Sequence, residues 1–161
     1  MNRKPKCIIV TGRPGSGKTT LAGKLGERLS MPVISRDEIK EGYVNTFGIR
    51  HDQLPPDTNG LVTELFFDIV NRYLAGNISV VVEAAFQHQV WESRMPRILE
   101  LARTSIVLCS CDDAVAARRH LQRGLEDPNR EYYHGDRHAV AHSFAILPLP
   151  HDKEQPNWQT E

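Results

Sequence analysis

The sequence holds little that would suit an oxidising compartment, a lipid bilayer or a polyanion. It has three cysteines, an odd number, and no CxxC pair. That argues against a disulfide framework, and Cys7, Cys109 and Cys111 are expected as free, mostly buried thiols in a reducing compartment. Cys109 and Cys111 alternate within one apolar run and are expected on one side of a strand. No apolar stretch reaches the roughly 18 residues of a membrane span. The basic start, Met1 to Lys6, is followed by only five residues before a glycine, too short for a signal-peptide core. Neither sign of charge is in excess: 20 basic residues balance 20 acidic ones, and the pI is about 7.1. A neutral total gives no reason to expect a nucleic acid or an anionic membrane as partner, although a local basic groove is compatible with it. The cytoplasm is the expected location. Internal repeats and low-complexity segments are also missing.

What remains is an ordinary globular composition, 40% hydrophobic and 25% charged over 161 residues, and this length predicts one domain with its own core. Short β-branched runs alternate with amphipathic stretches. Strands are expected at Cys7–Thr11, Val33–Ser35, Ile78–Glu83 and Ser105–Cys111, with a weaker fifth at Ala145–Leu149. Helices are expected from Lys18 to about Ser30 with Leu21, Leu25 and Leu29 inward, and from Arg36 to about Asn45. A third, Leu61–Leu74, would present Leu61, Leu65 and Ile69, with Val62, Phe66 and Tyr73 beside them. Further helices are expected at Val90–Ala102 and, capped by Asp112, up to about Gly124. Gly48–Asn59 and Gly124–Asp136 read as polar loops, Arg137–Phe144 as a helix, and 151–161 as a flexible tail. This alternation predicts an α/β fold, a parallel sheet with helices on both faces.

The most specific signal is Gly12-Arg13-Pro14-Gly15-Ser16-Gly17-Lys18-Thr19, which matches GxxxxGK[ST] between a strand and a helix, with Thr20 next. Glycines let successive backbone N–H groups turn inward onto phosphate oxygens, and the helix N-terminus adds positive potential there. Lys18 would carry a full charge to the β- and γ-phosphates, and the Thr19 hydroxyl would reach Mg²⁺. A nucleoside triphosphate and Mg²⁺ are therefore the expected ligands.

In such a fold, residues just past the strands are the candidates for chemistry. Asp37 follows the second strand with Arg36 and Lys40; it suits a general base on an acceptor hydroxyl and equally the first turn of a helix. Glu83 ends an otherwise apolar strand and suits Mg²⁺ through water, the acceptor, or a mere strand end. Gln87 and His88 lie in the following loop and are candidates for the acceptor side. Arg118, Arg119, Arg123 and Arg130 suit a lid over a triphosphate, or a solvated face paired with Glu126, Asp127 and Glu131. His134, His138 and His142 recur every four residues, a spacing that suits a metal on one helix face but lacks any supporting cysteine or HExxH.

Taken in order, GRPGSGKTT, SRDEIK, VVEAAF and RRHLQRGLEDPNREYYHGD resemble the small bacterial P-loop "predicted kinase" family. That family is similar to chloramphenicol phosphotransferase, zeta toxin and polynucleotide kinase domains. The resemblance spans about residues 6–140. It implies a three-layer α/β/α sandwich with strand order 2-3-1-4-5 and a helical lid at about 118–137. It also implies an ATP-dependent kinase whose Asp base falls on Asp37 and whose lid arginines fall on Arg119 and Arg123. Lys40 stands where the polynucleotide kinase pattern has an acceptor-side arginine. Three functions stay open at this stage: a kinase of small hydroxylated acceptors, a polynucleotide 5′-hydroxyl kinase, and a nucleotide-binding regulatory ATPase.

Overall fold

In the β-branched run after Pro5, side chains alternate between the two faces of a strand, and both faces are apolar. A strand of that kind needs helices on each side. The computed structural model, which describes residues 3–86 and 88–134, builds that arrangement. Strand β1 (Lys6–Gly12) leads to helix α1 (Lys18–Leu29), then β2 (Val33–Ser35) and α2 (Arg36–Phe47). A short 3-10 turn (His51–Gln53) precedes α3 (Thr58–Ala75), β3 (Val80–Glu83), α4 (His88–Leu101) and β4 (Arg103–Cys109). Helices α5 (Asp113–Glu126) and α6 (Pro128–His134) complete the described chain. All pairings are parallel, and the order is β2-β3-β1-β4. That is the expected order as far as the described residues go; the fifth strand at 145–149, the helix at 137–144 and the tail lie outside them.

Each sheet face has its own core. Cys7 and Ile9 of β1 pack with Val80 and Val82 of β3 against Phe66, Phe67, Val70 and Leu74 of α3 and Trp91 and Ile98 of α4. Val10 and Val81 point the other way, onto Ala22, Leu21 and Leu25 of α1. At about 25 cal/mol per Å² of apolar surface buried, these two layers supply the main drive for the fold.

Several sequence expectations shift in detail. Leu29 is exposed, and the inward face of α1 is centred on the buried Ala22 and Gly26 with Leu21 and Leu25 half-buried beside them. A Cβ on Gly26 would come within 2.4 Å of Val33 Cγ2, so α1 lies too close to β2 for anything larger. On α3, Leu61, Leu65 and Tyr73 are exposed, and the buried stripe is Val62, Phe66, Phe67, Val70 and Leu74. The aromatic cluster decides this rotation: Phe66 and Phe67 both pack on Phe86 and Trp91, with ring centroids 5.4 to 6.3 Å apart. Helix α3 also starts earlier than predicted, at Thr58. Cys111 falls beyond β4, and Cys109 and Cys111 are half-buried; only Cys7 is fully buried, where desolvation pushes its thiol up to about 12. The polar segment after Gly124 is not a plain loop. Asp127 Oδ1 accepts from the Asn129 N–H at 2.9 Å and α6 begins at Pro128, an Asp-Pro start that the sequence already carried.

Candidate active site

Because the strands are parallel, their carboxyl ends form one rim: Gly12, Ser35, Glu83 and Cys109. The loop after β1 turns back at this rim through residues only glycine accepts easily. Gly12 has φ 141° and would place a Cβ 2.2 Å from the Cys109 carbonyl oxygen; Gly15 has φ 82° and would meet the Ala116 oxygen at 2.1 Å. Lys18, the first residue of α1, is only 7% exposed, and its Nζ donates to the Arg13 carbonyl at 3.0 Å, back across its own loop. Ser16 Oγ is buried in the loop without a hydrogen-bond partner. A buried ammonium and an orphaned hydroxyl within a glycine loop at a helix N-terminus fit a phosphate chain. The guanidinium of Arg13 turns outward and pairs with Asp113.

A cleft of about 430 Å³ opens beside the loop and is lined by Lys18, Thr19, Asp37, Lys40, Glu83 and Arg123. Arg36, Glu38, Glu41, His120, Arg130 and His134 complete its wall. The two candidate carboxylates are held differently. Glu83 is 2% exposed and accepts a hydrogen bond from Ser35 Oγ at 2.8 Å, and the two residues are register partners across β2 and β3. Burial pushes the Glu83 carboxyl up, with the Ser35 hydrogen bond working against that shift. Burial likewise pulls the Lys18 ammonium down, while Glu83 and Asp37 hold it up. Asp37 sits in the first turn of α2, half-exposed, with Arg36 at 3.7 Å. Lys40, one turn on, is 8% exposed.

On the α5 side, the helix is capped by Asp112, whose Oδ1 accepts from Ala114 N and Val115 N at 2.9 and 3.3 Å. Arg123 lines the cleft of Asp37, and together with Arg119 it also lines a second opening beside Gly15, Gly17 and Thr20. Helix α6 rests on α2: Tyr133 Oη donates to Asn45 Oδ1 at 2.6 Å, and His134 Nε2 lies 2.8 Å from Glu41 Oε1. Of the acids on α5 and α6, Glu126 accepts from Gln122 and Glu131 lies near Arg50.

The cleft thus brings together Pro14, Lys18, Thr19, Arg36, Asp37, Lys40, Glu83 and Arg123 from the sequence reading. It does not include His88, which is exposed, faces Glu92 and lines a separate apolar cleft of about 690 Å³ with Phe86, Trp91 and Leu108. Gln87 lies outside the described residues. Of the three spaced histidines only His134 is described, and it pairs with Glu41; His138 and His142 lie outside the described residues, and among those described no group of three His, Cys, Asp or Glu is placed to hold a metal. Sequence reasoning missed His120 and Glu41. Both were signalled by helical spacing, His120 one turn before Arg123 and Glu41 one turn after Asp37.

For Mg²⁺, the side chains fit the chemistry. The exposed Thr19 hydroxyl and the buried Glu83 carboxylate line the same cleft as Lys18, so hard oxygen donors stand where a triphosphate would end.

A parallel sheet ordered β2-β3-β1-β4, with a glycine loop between its third-placed strand and a helix carrying lysine and threonine, defines a kinase-like P-loop fold. The chain belongs to the AAA domain family, whose model matches residues 7–144. It is 28% identical over 134 residues to a Halobacterium salinarum protein named "Putative adenylate kinase", covering 83% of this chain and 68% of that one. Among solved structures, one titled as a "putative kinase" from Chloroflexus aurantiacus matches with a TM-score of 0.74 at 23% identity, covering 86% of this chain and 78% of that one. A chain of the Pnkp1/Rnl/Hen1 RNA repair complex matches at 0.67 and 17% identity, covering 96% of this chain and 51% of that one. A gluconokinase from Sinorhizobium meliloti matches at 0.53 and 19%, covering 92% of this chain and 78% of that one. At such identities the structural likeness is one of fold. Among the described residues, no helix is long and apolar enough to cross a membrane.

Proposed function

We propose that the protein is a kinase that binds ATP with Mg²⁺ and transfers the γ-phosphoryl group to a hydroxyl of a small-molecule acceptor. The observation that carries this reading is the single cleft in which Lys18 and Thr19 of the phosphate loop face Asp37 of α2, Glu83 of β3 and Arg123 of α5. Loop N–H groups and Lys18 hold the β- and γ-phosphates; Thr19, with Glu83 through water, holds Mg²⁺, which when bound neutralises phosphate charge. Asp37 orients the acceptor hydroxyl and takes its proton, and its half-exposed carboxylate suits that task better than the buried Glu83. Arg119 and Arg123, on a lid spanning about residues 118–137 of one domain, spread the charge that develops during transfer. A lid docked on α2 also excludes competing water. A requirement for ATP and Mg²⁺ suits work in the cytoplasm.

Transfer from γ-³²P-ATP to a panel of alcohols tests this reading. Label on one acceptor class should fall about 10²- to 10⁴-fold in Asp37→Asn, with ATP affinity kept. Phosphate release unaffected by any acceptor would instead favour a regulatory ATPase. A second reading, a 5′-hydroxyl polynucleotide kinase, draws on the cations Lys40, Arg123 and Arg130 in the cleft. It requires label on oligonucleotides and steep loss of binding with salt.

A further inference from the structure

Asp37 and Arg36 form a ridge with a cleft on each side. The cleft beside the phosphate loop carries the cations Lys18, Lys40, Arg123 and Arg130. The one beyond the ridge, about 400 Å³, is different in kind: Asn59, Gly60, Thr63 and Glu64 of α3 face Ala85 and Phe86 across it. Among its described lining residues the one cation is Arg36, which is engaged by Asp37 at 3.7 Å and by Asn59 Oδ1 at 3.1 Å, its Nε having no hydrogen-bond partner. Two carboxylates, Asp37 and Glu64, line it. An anion placed there would lose its water to two lining carboxylates set against one guanidinium that Asp37 and Asn59 already hold. The remaining polar groups are an amide and a hydroxyl, the latter donating to the Asn59 carbonyl at 2.8 Å with its lone pairs left to accept. The opposite wall is the ring of Phe86, fixed by Phe67 and Trp91, each with its centroid 5.4 Å away.

We infer that this cleft is the acceptor subsite and that the acceptor is a neutral, polyhydroxylated molecule of about monosaccharide size. The inference rests on the kinase reading above and adds the substrate class. The acceptor's C–H face lies on Phe86, its hydroxyls bond to Asn59, Thr63 and Glu64, and its reacting hydroxyl reaches over the ridge to Asp37. A bond forms between that oxygen and the γ-phosphorus as the bridging β,γ bond breaks. The hydroxyl proton passes to Asp37, and ADP leaves with the electron pair. Among the described lining residues two carboxylates stand against one engaged guanidinium, which disfavours the phosphodiester of a nucleic acid or the carboxylate of a sugar acid.

Gly60 supplies the test. It lies in α3 with an ordinary φ, and a Cβ built on it meets no atom within 4 Å. Leucine there is a better helix former than glycine, so Gly60→Leu should fill the cleft and leave the fold intact. Thr63→Val removes one hydroxyl at nearly constant shape. Three matched probe sets would be titrated with β,γ-methylene-ATP present: neutral hexoses, pentoses and hexitols; sugar acids and sugar phosphates; and a 5′-hydroxyl dinucleotide. Label transfer from γ-³²P-ATP would be measured in parallel. The expected result is binding and transfer with a neutral member. Gly60→Leu and Thr63→Val should weaken that binding tenfold or more, with ATP affinity unchanged. Preference for an anionic probe, binding of no probe, or an acceptor affinity indifferent to Gly60→Leu would overturn the inference. Binding of a neutral probe that Gly60→Leu abolishes, without label transfer to it, would keep the subsite and overturn the kinase reading.

Discussion

Gly15 lies so close to the carbonyl oxygen of Ala116 that a Cβ on the glycine would come within 2.1 Å of it. The phosphate loop is therefore packed against the first turn of α5, the helix that carries Arg119 and Arg123 one and two turns further on. The loop and the helix of Arg119 and Arg123 meet at this close contact.

Gly15→Ala should for that reason cost more than Gly17→Ala. Both glycines have positive φ, 82° and 90°, but only Gly15 has a neighbour in the way. The left-handed backbone alone costs alanine about 1–2 kcal/mol, and relieving the overlap about 1–3 more. Thermal melts should place Gly15→Ala several degrees below Gly17→Ala. Equal melting temperatures would mean that loop and helix part freely.

Lys18→Met should separate binding from stability. The ammonium is 7% exposed and burial works against its charge. A methionine of similar length keeps the packing and removes that cost, so the free protein should melt higher, by about 1 kcal/mol of stability. The rise in melting temperature that ATP and Mg²⁺ give the wild type should vanish. A variant still stabilised by ATP would sink the phosphate-loop assignment.

Glu83→Gln should show a stability gain that depends on pH. Burial raises the folded carboxyl above its reference value of 4.5. The folded state then holds its proton more tightly than the unfolded one, and stability falls as pH rises from 4.5 through the folded value. Glutamine keeps an acceptor for the Ser35 hydroxyl and carries no charge. The variant's advantage should be small at or below pH 4.5, grow above it and level off once the pH has passed the folded value. Melts from pH 4 to 8 would show it, and a difference that stays flat would contradict the burial argument.

Arg123→Ala should lower turnover about 10²-fold with a smaller change in ATP affinity, because its part in the proposed reaction is to meet charge that appears during transfer. Single-turnover rates and equilibrium nucleotide titration separate the two. An unchanged rate would return Arg123 to the role of a solvated lid cation.

The phosphate loop and all four described strands were legible because their signals are local: a fixed motif, and β-branched runs closed by Pro and Gly. Strand order came from the resemblance, and the observed β2-β3-β1-β4 agrees with it over the described residues. Which face of α3 turns inward was not legible. Leu61 and Leu65 make one stripe and Phe66, Phe67 and Val70 another, and only the meeting with Phe86 and Trp91 chooses between them. The placement of Asp37 and Glu83 could be anticipated from strand ends, and that of Arg123 from the helix after β4 and the resemblance. The partition of the polar residues around them could not, since His88 and Phe86 are two residues apart in sequence yet only Phe86 lines the cleft beside Asp37.

Ala85 stands where three clefts meet: the one beside the phosphate loop, the one beyond the Arg36–Asp37 ridge, and the apolar one under Trp91. Its side chain is a single methyl, so the three spaces are divided by almost nothing at that point. A larger residue at position 85 would narrow all of them at once. Selectivity for the phosphoryl donor, for the acceptor and for any apolar ligand would then drift together through one codon, and a mutational library at this position would change them as a set.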